Sequence, residues 1–285
     1  MFVIIGIVVV LGSIISGYLM EDGNLHVLFQ PAEVVIIVGA ALGSFLIASP
    51  AKVVGLVFKN IFSLVAAKSQ SKEKYLELLS LLYQLFSKIR KEGLVSIESD
   101  IENPPKSPVF QKHAGLLSNH RALNFICDNL KVIITANVPP HELDNLMEIE
   151  IDTHHHEAMI PSHSVSRIAD ALPGLGIVAA VLGVVLTMGK IDQPPAVLGH
   201  SIGAALVGTF LGVLLCYGFI GPMSANLEHL AREDGTFSQV IRVALVAFVG
   251  GSAPQIAVEF GRRAIPDKEK PTFDELEQLV RGRAR

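Results

Sequence analysis

Four stretches of this chain are too apolar and too free of charge for the surface of a water-soluble fold. Phe2–Met20 contains no charged residue, and Val34–Ser49 runs uncharged until Pro50 and Lys52. Ala171–Gly189 is the third stretch. Ala196–Met223 is the fourth, with only His200 as a possible charge near neutral pH. A helix crossing a bilayer core needs about 20 apolar residues, with a range of roughly 17–25. The first, third and fourth stretches meet this length, and the second meets it once Pro31–Glu33 are counted as its mouth. No basic run precedes the first stretch and no small-residue cleavage site follows it, so it reads as a retained membrane helix and not a signal peptide. A fifth candidate, Phe237–Gly250, is short and carries Arg242 mid-span, which is costly at bilayer depth. It reads as an amphipathic helix lying under the membrane or packing on a neighbour.

The basic residues orient these spans. Residues 21–33 hold no Lys or Arg and residues 190–195 hold one, whereas 13 lie between Pro50 and Asp170 and nine follow Pro222. The positive-inside rule therefore places residues 50–170 and the C-terminal tail in the cytoplasm, with both short links outside. The expected fold is all-α: a polytopic membrane protein with four transmembrane helices and a helical cytoplasmic domain inserted between helices 2 and 3. The segments are 1–20 (helix 1), 21–30 (periplasmic link), 31–49 (helix 2), 50–170 (cytoplasmic domain), 171–189 (helix 3), 190–195 (periplasmic link), 196–223 (helix 4) and 224–285 (cytoplasmic helices and tail). Composition narrows the function. Half the residues are hydrophobic, only 18% are charged, and the net charge is −4. This excludes a disordered chain and argues against a nucleic-acid binder. Cys127 and Cys216 are far apart and form no metal or disulfide framework.

Within the cytoplasmic segment, residues 73–91 carry apolar side chains at helical spacing from Tyr75 to Ile89, with Lys88, Arg90 and Lys91 in the last turn and Gly93 as the stop. A second helix is expected over His113–Ile133, after a proline-rich loop at 103–108. A polar helix is expected over His141–Ile160, ended or kinked by Pro161. A short helix is expected at Phe273–Val280, in a mobile tail. His154, His155 and His156 are consecutive, so on a helix they point about 100° apart and chelate one ion poorly. No metal site is assigned to them.

The spans lack an acid of their own. No Asp, Glu, Lys or Arg lies in their apolar cores; Glu33 is placed at the outer mouth of the second and His200 near the outer end of the fourth. Ion-moving proteins place an ionisable group in a membrane helix. Either this chain moves no ions, or a partner helix supplies the carboxylate. Ala204, Gly208 and Gly212 stand four apart with Thr209 beside them. That small-residue face suits either a partner helix or packing within the bundle. Pro173 and Pro222 shape helix ends or serve as hinges.

Taken in order, several motifs resemble the MotA family of flagellar stator subunits, within the MotA/TolQ/ExbB proton channels. They are Gln30-Pro31-Ala32-Glu33-Val34-Val35-Ile36 with Gly39-Ala40-Ala41-Leu42-Gly43, Arg90 with Glu98, Pro173-Gly174-Leu175-Gly176-Ile177-Val178-Ala179-Ala180, and Gly221-Pro222. The resemblance implies a ring, a pentamer around a dimer of single-span MotB subunits, which bring the proton-carrying aspartate and a peptidoglycan anchor. It implies rotor contact with FliG through Arg90, Glu98 and Glu150, proton-pathway lining by Ala180 and Thr209, and coupling through Pro173 and Pro222. Sodium-driven relatives carry threonine at the position of Ala180; alanine offers no oxygen ligand, so protons are the implied coupling ion. No cofactor is implied. An ExbB/TolQ-like energy transducer with three spans is the alternative, opposed by the fourth span and by Arg90 and Glu98. A membrane enzyme or solute carrier is opposed by the absence of GxSxG, HExxH and Walker motifs.

Overall fold

The computed structural model describes residues 2–66, 71–136 and 138–282, and among them every regular element is helical. The α-helices are α1 (Phe2–Met20), α2 (Leu25–Leu28), α3 (Pro31–Ala48), α4 (Ala51–Ala66), α5 (Lys72–Glu92), α6 (Glu98–Glu102), α7 (Ala114–Ser118) and α8 (His120–Ala136). They continue with α9 (Pro140–Met188), α10 (Pro195–Leu214), α11 (Gly221–Val249), α12 (Pro254–Arg263) and α13 (Phe273–Gly282). Four helical stretches are long and apolar enough to cross a membrane, by length and composition: Phe2–Met20, Leu25–Ala48, Pro140–Met188 and Pro195–Val249. They cover the four stretches read from the sequence, save Ser49 and Gly189, which fall one residue past the second and third.

The chain divides into two compact units, one of Met1–Ala67 with Ala158–His229, the other of Lys68–Glu157 with Leu230–Arg285. The second unit takes only part of the 50–170 insertion, because α4 and residues 158–170 belong to the first, and it adds the C-terminal segment from Leu230.

The first unit exposes apolar surface freely, as lipid permits; α1 has no buried residue. A helix satisfies its own backbone, so it needs no water on its flanks. Ile37 and Ala41 of α3 pack with Ala169, Leu172 and Ala179 of α9 and with Cys216. α9 and α10 approach through glycine. A Cβ at Gly212 would stand 2.6 Å from the Leu172 carbonyl oxygen and 2.8 Å from Gly176 Cα. A Cβ at Gly176 would stand 2.7 Å from the Gly208 carbonyl oxygen. Gly208 and Gly212 are thus used for packing within the chain, one of the two uses their spacing allows.

Pro161 does not end a helix. α9 runs through both Pro161 and Pro173 without interruption. Each proline removes one ladder bond. One residue past Pro161 a tertiary contact holds α9. Ser162 Oγ donates to the Ser224 carbonyl at 3.0 Å, and Ser224 Oγ donates to the Ser162 carbonyl at 2.9 Å. Pro222 is accommodated differently. Leu215–Ile220 form a π-helical turn in which the Gly221 N–H donates to the Cys216 carbonyl. Proline has no N–H and its ring cannot approach the carbonyl four residues back, so a wider turn ahead of it relieves the clash.

The second unit has an apolar core of its own. α5 buries Leu78, Leu79, Leu82, Leu85 and Phe86, and α8 buries Phe125, Ile126 and Leu130. Leu143 and Met147 of α9, Val240, Ile241 and Leu245 of α11, and Val258 of α12 complete it. Phe86 stacks on Phe248 with ring centroids 4.3 Å apart. Arg242, which disqualifies Phe237–Gly250 as a span, pairs with Asp144 at 2.6 Å and Glu148 at 3.3 Å. That stretch therefore packs on neighbouring helices, as its amphipathic pattern allows.

Candidate functional site

Two places carry the residues singled out by sequence, one in each unit. In the second unit, α5 ends at Gly93, whose φ of 87° lies where residues with a Cβ are strained. Its N–H donates to the Ile89 carbonyl and closes the helix. A 3₁₀ turn, Leu94–Ile97, then leads directly into α6. This reversal puts Arg90, in the last turn of α5, and Glu98, the first residue of α6, on exposed positions a few residues apart. Among the described residues neither forms an ion pair, so both charges are available to another molecule.

What holds the reversal is a buried charge that the sequence reading did not single out. Asp100 is 4% exposed. Lys88 Nζ lies 2.7 Å from its Oδ2, and the Ser107 hydroxyl donates to its Oδ1 at 2.6 Å. Ser107 Oγ in turn accepts from the Val109 N–H at 3.1 Å. A buried carboxylate so satisfied ties α5, α6 and the loop after α6 together. The sequence held no signal for it, since the three residues are spread over 20 positions and meet only in the fold.

Glu150 sits elsewhere. It is half-buried on α9, and its Oε2 accepts from Asn129 Nδ2 of α8 at 3.3 Å. Its carboxylate thus has an internal partner, which Arg90 and Glu98 lack. His154, His155 and His156 continue α9, the first two half-buried and the third exposed.

In the first unit, Ala180 is buried, with its backbone nitrogen 3.0 Å from where a Gly208 Cβ would stand. Thr209 is half-buried and lines a cleft of about 540 Å³ with Val10 and Ile14 of α1, Phe210 of α10, and Tyr217. Ala180 therefore belongs to the α9–α10 contact and Thr209 to a surface shared with α1. Pro173 is half-buried and Pro222 exposed. Glu33, placed at the outer mouth by counting residues, is buried against α9 and α10. The segment ahead of it accounts for this. α2 packs along α10, with Val27 Cγ1 3.8 Å from where a Gly203 Cβ would stand, and α3 begins from there.

This architecture defines a class: a multi-pass helical membrane protein whose spans close on glycine faces, joined to a helical unit with exposed charge. The comparisons are specific. Residues 4–93 match the motility protein A N-terminal family model, and residues 117–239 match that of the MotA/TolQ/ExbB proton channel family. Motility protein A of Escherichia coli is 44% identical over 282 residues, 99% of this chain and 96% of the relative. The chemotaxis protein LafT of Vibrio parahaemolyticus is 36% identical over 97% of both chains. Two solved structures share the fold. The C. jejuni MotAB structure matches with a TM-score of 0.79 at 18% identity, covering 95% of this chain and 98% of that one. The flagellar MotAB stator complex from Bacillus subtilis matches with a TM-score of 0.75 at 22% identity, covering 93% and 96%. The chain belongs to the motility protein A family, within the MotA/TolQ/ExbB proton channels.

Proposed function

We propose that this chain is a stator subunit of a bacterial flagellar motor, passing protons together with a MotB-type partner and turning their flow into torque on the rotor. The observation that carries this reading is the match to the Escherichia coli relative along nearly the whole of both chains. It embraces the spans and the charged reversal together, so the two units are matched as one device.

The parts then take these roles. Five copies ring a dimer of the single-span partner, in the inner membrane, with both chain ends and the insertion between spans two and three in the cytoplasm. Arg90 and Glu98 meet opposite charges on FliG. Exposed pairs of this kind are each worth about 0–1 kcal/mol, which suits contacts made and broken at every step. Glu150 adds to the charged surface less directly, since Asn129 already engages it. Ala180 and Thr209 line the path beside the partner's aspartate. Pro173 and Pro222 let α9 and the α10–α11 helix bend as the ion passes. No cofactor takes part, and the coupling ion is the proton, because Ala180 offers no oxygen ligand.

Complementation tests the reading. An Escherichia coli strain lacking its own motility protein A is supplied with this chain and a MotB-type partner. The expected result is restored swimming whose speed follows proton-motive force and ignores external sodium, with no proton leak when the chain is expressed alone. Stable membrane insertion without swimming, or a sodium requirement, would contradict it.

A further inference from the structure

Glu33 is a carboxyl group in an apolar setting. It is 8% exposed, and among the described residues its Oε2 has no hydrogen-bond partner. That oxygen lies 2.7 Å from where a Gly208 Cβ would stand, and Oε1 lies 3.5 Å from the same point on Gly183. The carboxyl group is aimed into the contact between α9 and α10.

The neighbours do not answer the charge. His26 of α2 and His200 of α10 are exposed. The α9 positions nearest the carboxyl, Ala180 and Gly183, bring no polar side chain. The Thr187 hydroxyl donates to the Gly183 carbonyl at 2.8 Å. A membrane protein that keeps an ionisable group at such a place, without a partner, keeps it at a cost in stability. The glycines opposite preserve the room for it, since any side chain at Gly208 would occupy its seat.

We infer that Glu33 is a proton-accepting site of the membrane unit, a carboxyl that this chain adds to the one its partner brings. The inference rests on the proton-channel reading above. In the step, a proton leaves a hydronium ion or the partner's carboxyl and bonds to a Glu33 oxygen. Water or a carboxylate is left behind, the reverse transfer releases the proton, and no electrons move. The first unit therefore holds a buried acid of its own. Counting residues put Glu33 in the first turn of its helix, and the packing of α2 along α10 buries that turn against α9 and α10.

The test uses the full chain with a single-span partner bearing its membrane aspartate. Glu33→Gln keeps the shape and removes proton exchange, and Glu33→Asp keeps the exchange and shortens the reach. Proton influx into cells is measured alongside recovery of the partner in the purified complex. Glu33→Gln is expected to assemble and to lose about a hundredfold of the flux, as when a positioned proton-transfer group is removed, while Glu33→Asp retains part of it. A Glu33→Gln complex conducting like the natural one would overturn the proposal.

If Glu33→Gln fails to assemble, the natural complex decides. Dicyclohexylcarbodiimide reacts with protonated carboxyls in apolar surroundings, and mass spectrometry locates the adduct. Labelling of Glu33 that persists when the partner's aspartate is replaced by asparagine supports the site, and labelling confined to the partner refutes it. A natural complex that carries no protons would instead refute the channel reading, and the labelling would still test Glu33 by itself.

Discussion

Gly212 has no room for a side chain, because backbone atoms of Leu172 and Gly176 fill the space on its open side. Backbone cannot step aside as a flexible side chain does. Gly212→Ala should therefore push α9 and α10 apart, at a cost of roughly 1–3 kcal/mol, typical of overpacking. Thermal unfolding of the purified complex should register the loss, and swimming should fall with it. Ala204, in the same four-residue series, is half-buried, which the spacing could not distinguish from Gly208 and Gly212. Cys127 is a second residue whose behaviour is set by its surroundings. Burial, the largest influence on it, pushes its thiol up to about 12. The thiolate is the reactive form, so at mildly alkaline pH the native protein should resist iodoacetamide at Cys127. Mass spectrometry should find the adduct only after denaturation.

α12 is fixed by charge. Glu259 Oε2 accepts from Arg262 Nε at 2.7 Å and Glu259 Oε1 accepts from Arg262 Nη2 at 2.8 Å, while Arg263 Nε donates to Oε1 at 3.0 Å. Arg262 also donates to the Pro271 carbonyl at 2.9 Å, which ties the segment after α12 back onto it. The Arg262 hydrogen bonds, then those from Arg263, hold the Glu259 carboxyl below its ordinary value of 4.5. A depressed folded value means the contribution is present in full above the unfolded value. It is lost as pH falls through the folded one. The melting temperature of the natural protein should thus drop as pH is lowered below about 4. Glu259→Gln should lose about 1–3 kcal/mol at neutral pH and show a smaller drop on acidification. At the same scale, the helix bounds read from sequence fared unevenly. Apolar spacing and Gly93 placed α5 to within a residue at each end. Pro161, by contrast, was expected to end or kink a helix, and α9 continues through it. Just beyond it, the paired hydroxyls of Ser162 and Ser224 fasten α9 to α11. α4 was not foreseen: the sequence reading followed charge-free runs, and Lys52 and Lys59 interrupt this amphipathic helix.

For the molecule as a motor part, the charged reversal matters only when it meets another molecule. Charge reversal at Arg90 or at Glu98 should impair swimming while membrane insertion and recovery of the partner are unchanged. Compensating reversals on the rotor should restore part of the motility. Normal swimming by Arg90→Glu combined with Glu98→Lys would remove both residues from the rotor contact. Asp100→Asn should weaken the same surface indirectly. It costs roughly 1–3 kcal/mol by leaving Lys88 and Ser107 without their charged partner, and swimming should recover at low temperature more fully than in the reversal variants.

The sequence by itself determined that this is a multi-pass membrane protein, which segments are long and apolar enough to cross, and where its charge is concentrated. Hydrocarbon admits only long apolar helices, and that rule acts on composition before any packing exists. The order of its motifs also pointed to the family. Tertiary structure decided how the small residues are spent, since a four-residue repeat serves an internal or an external neighbour equally well. It decided that Asp100 is a buried brace and that Glu150 is already engaged. It also decided that Glu33 lies buried against the glycine face. Contact and partnership depend on how one helix packs along another, and residue spacing within a single helix does not encode that.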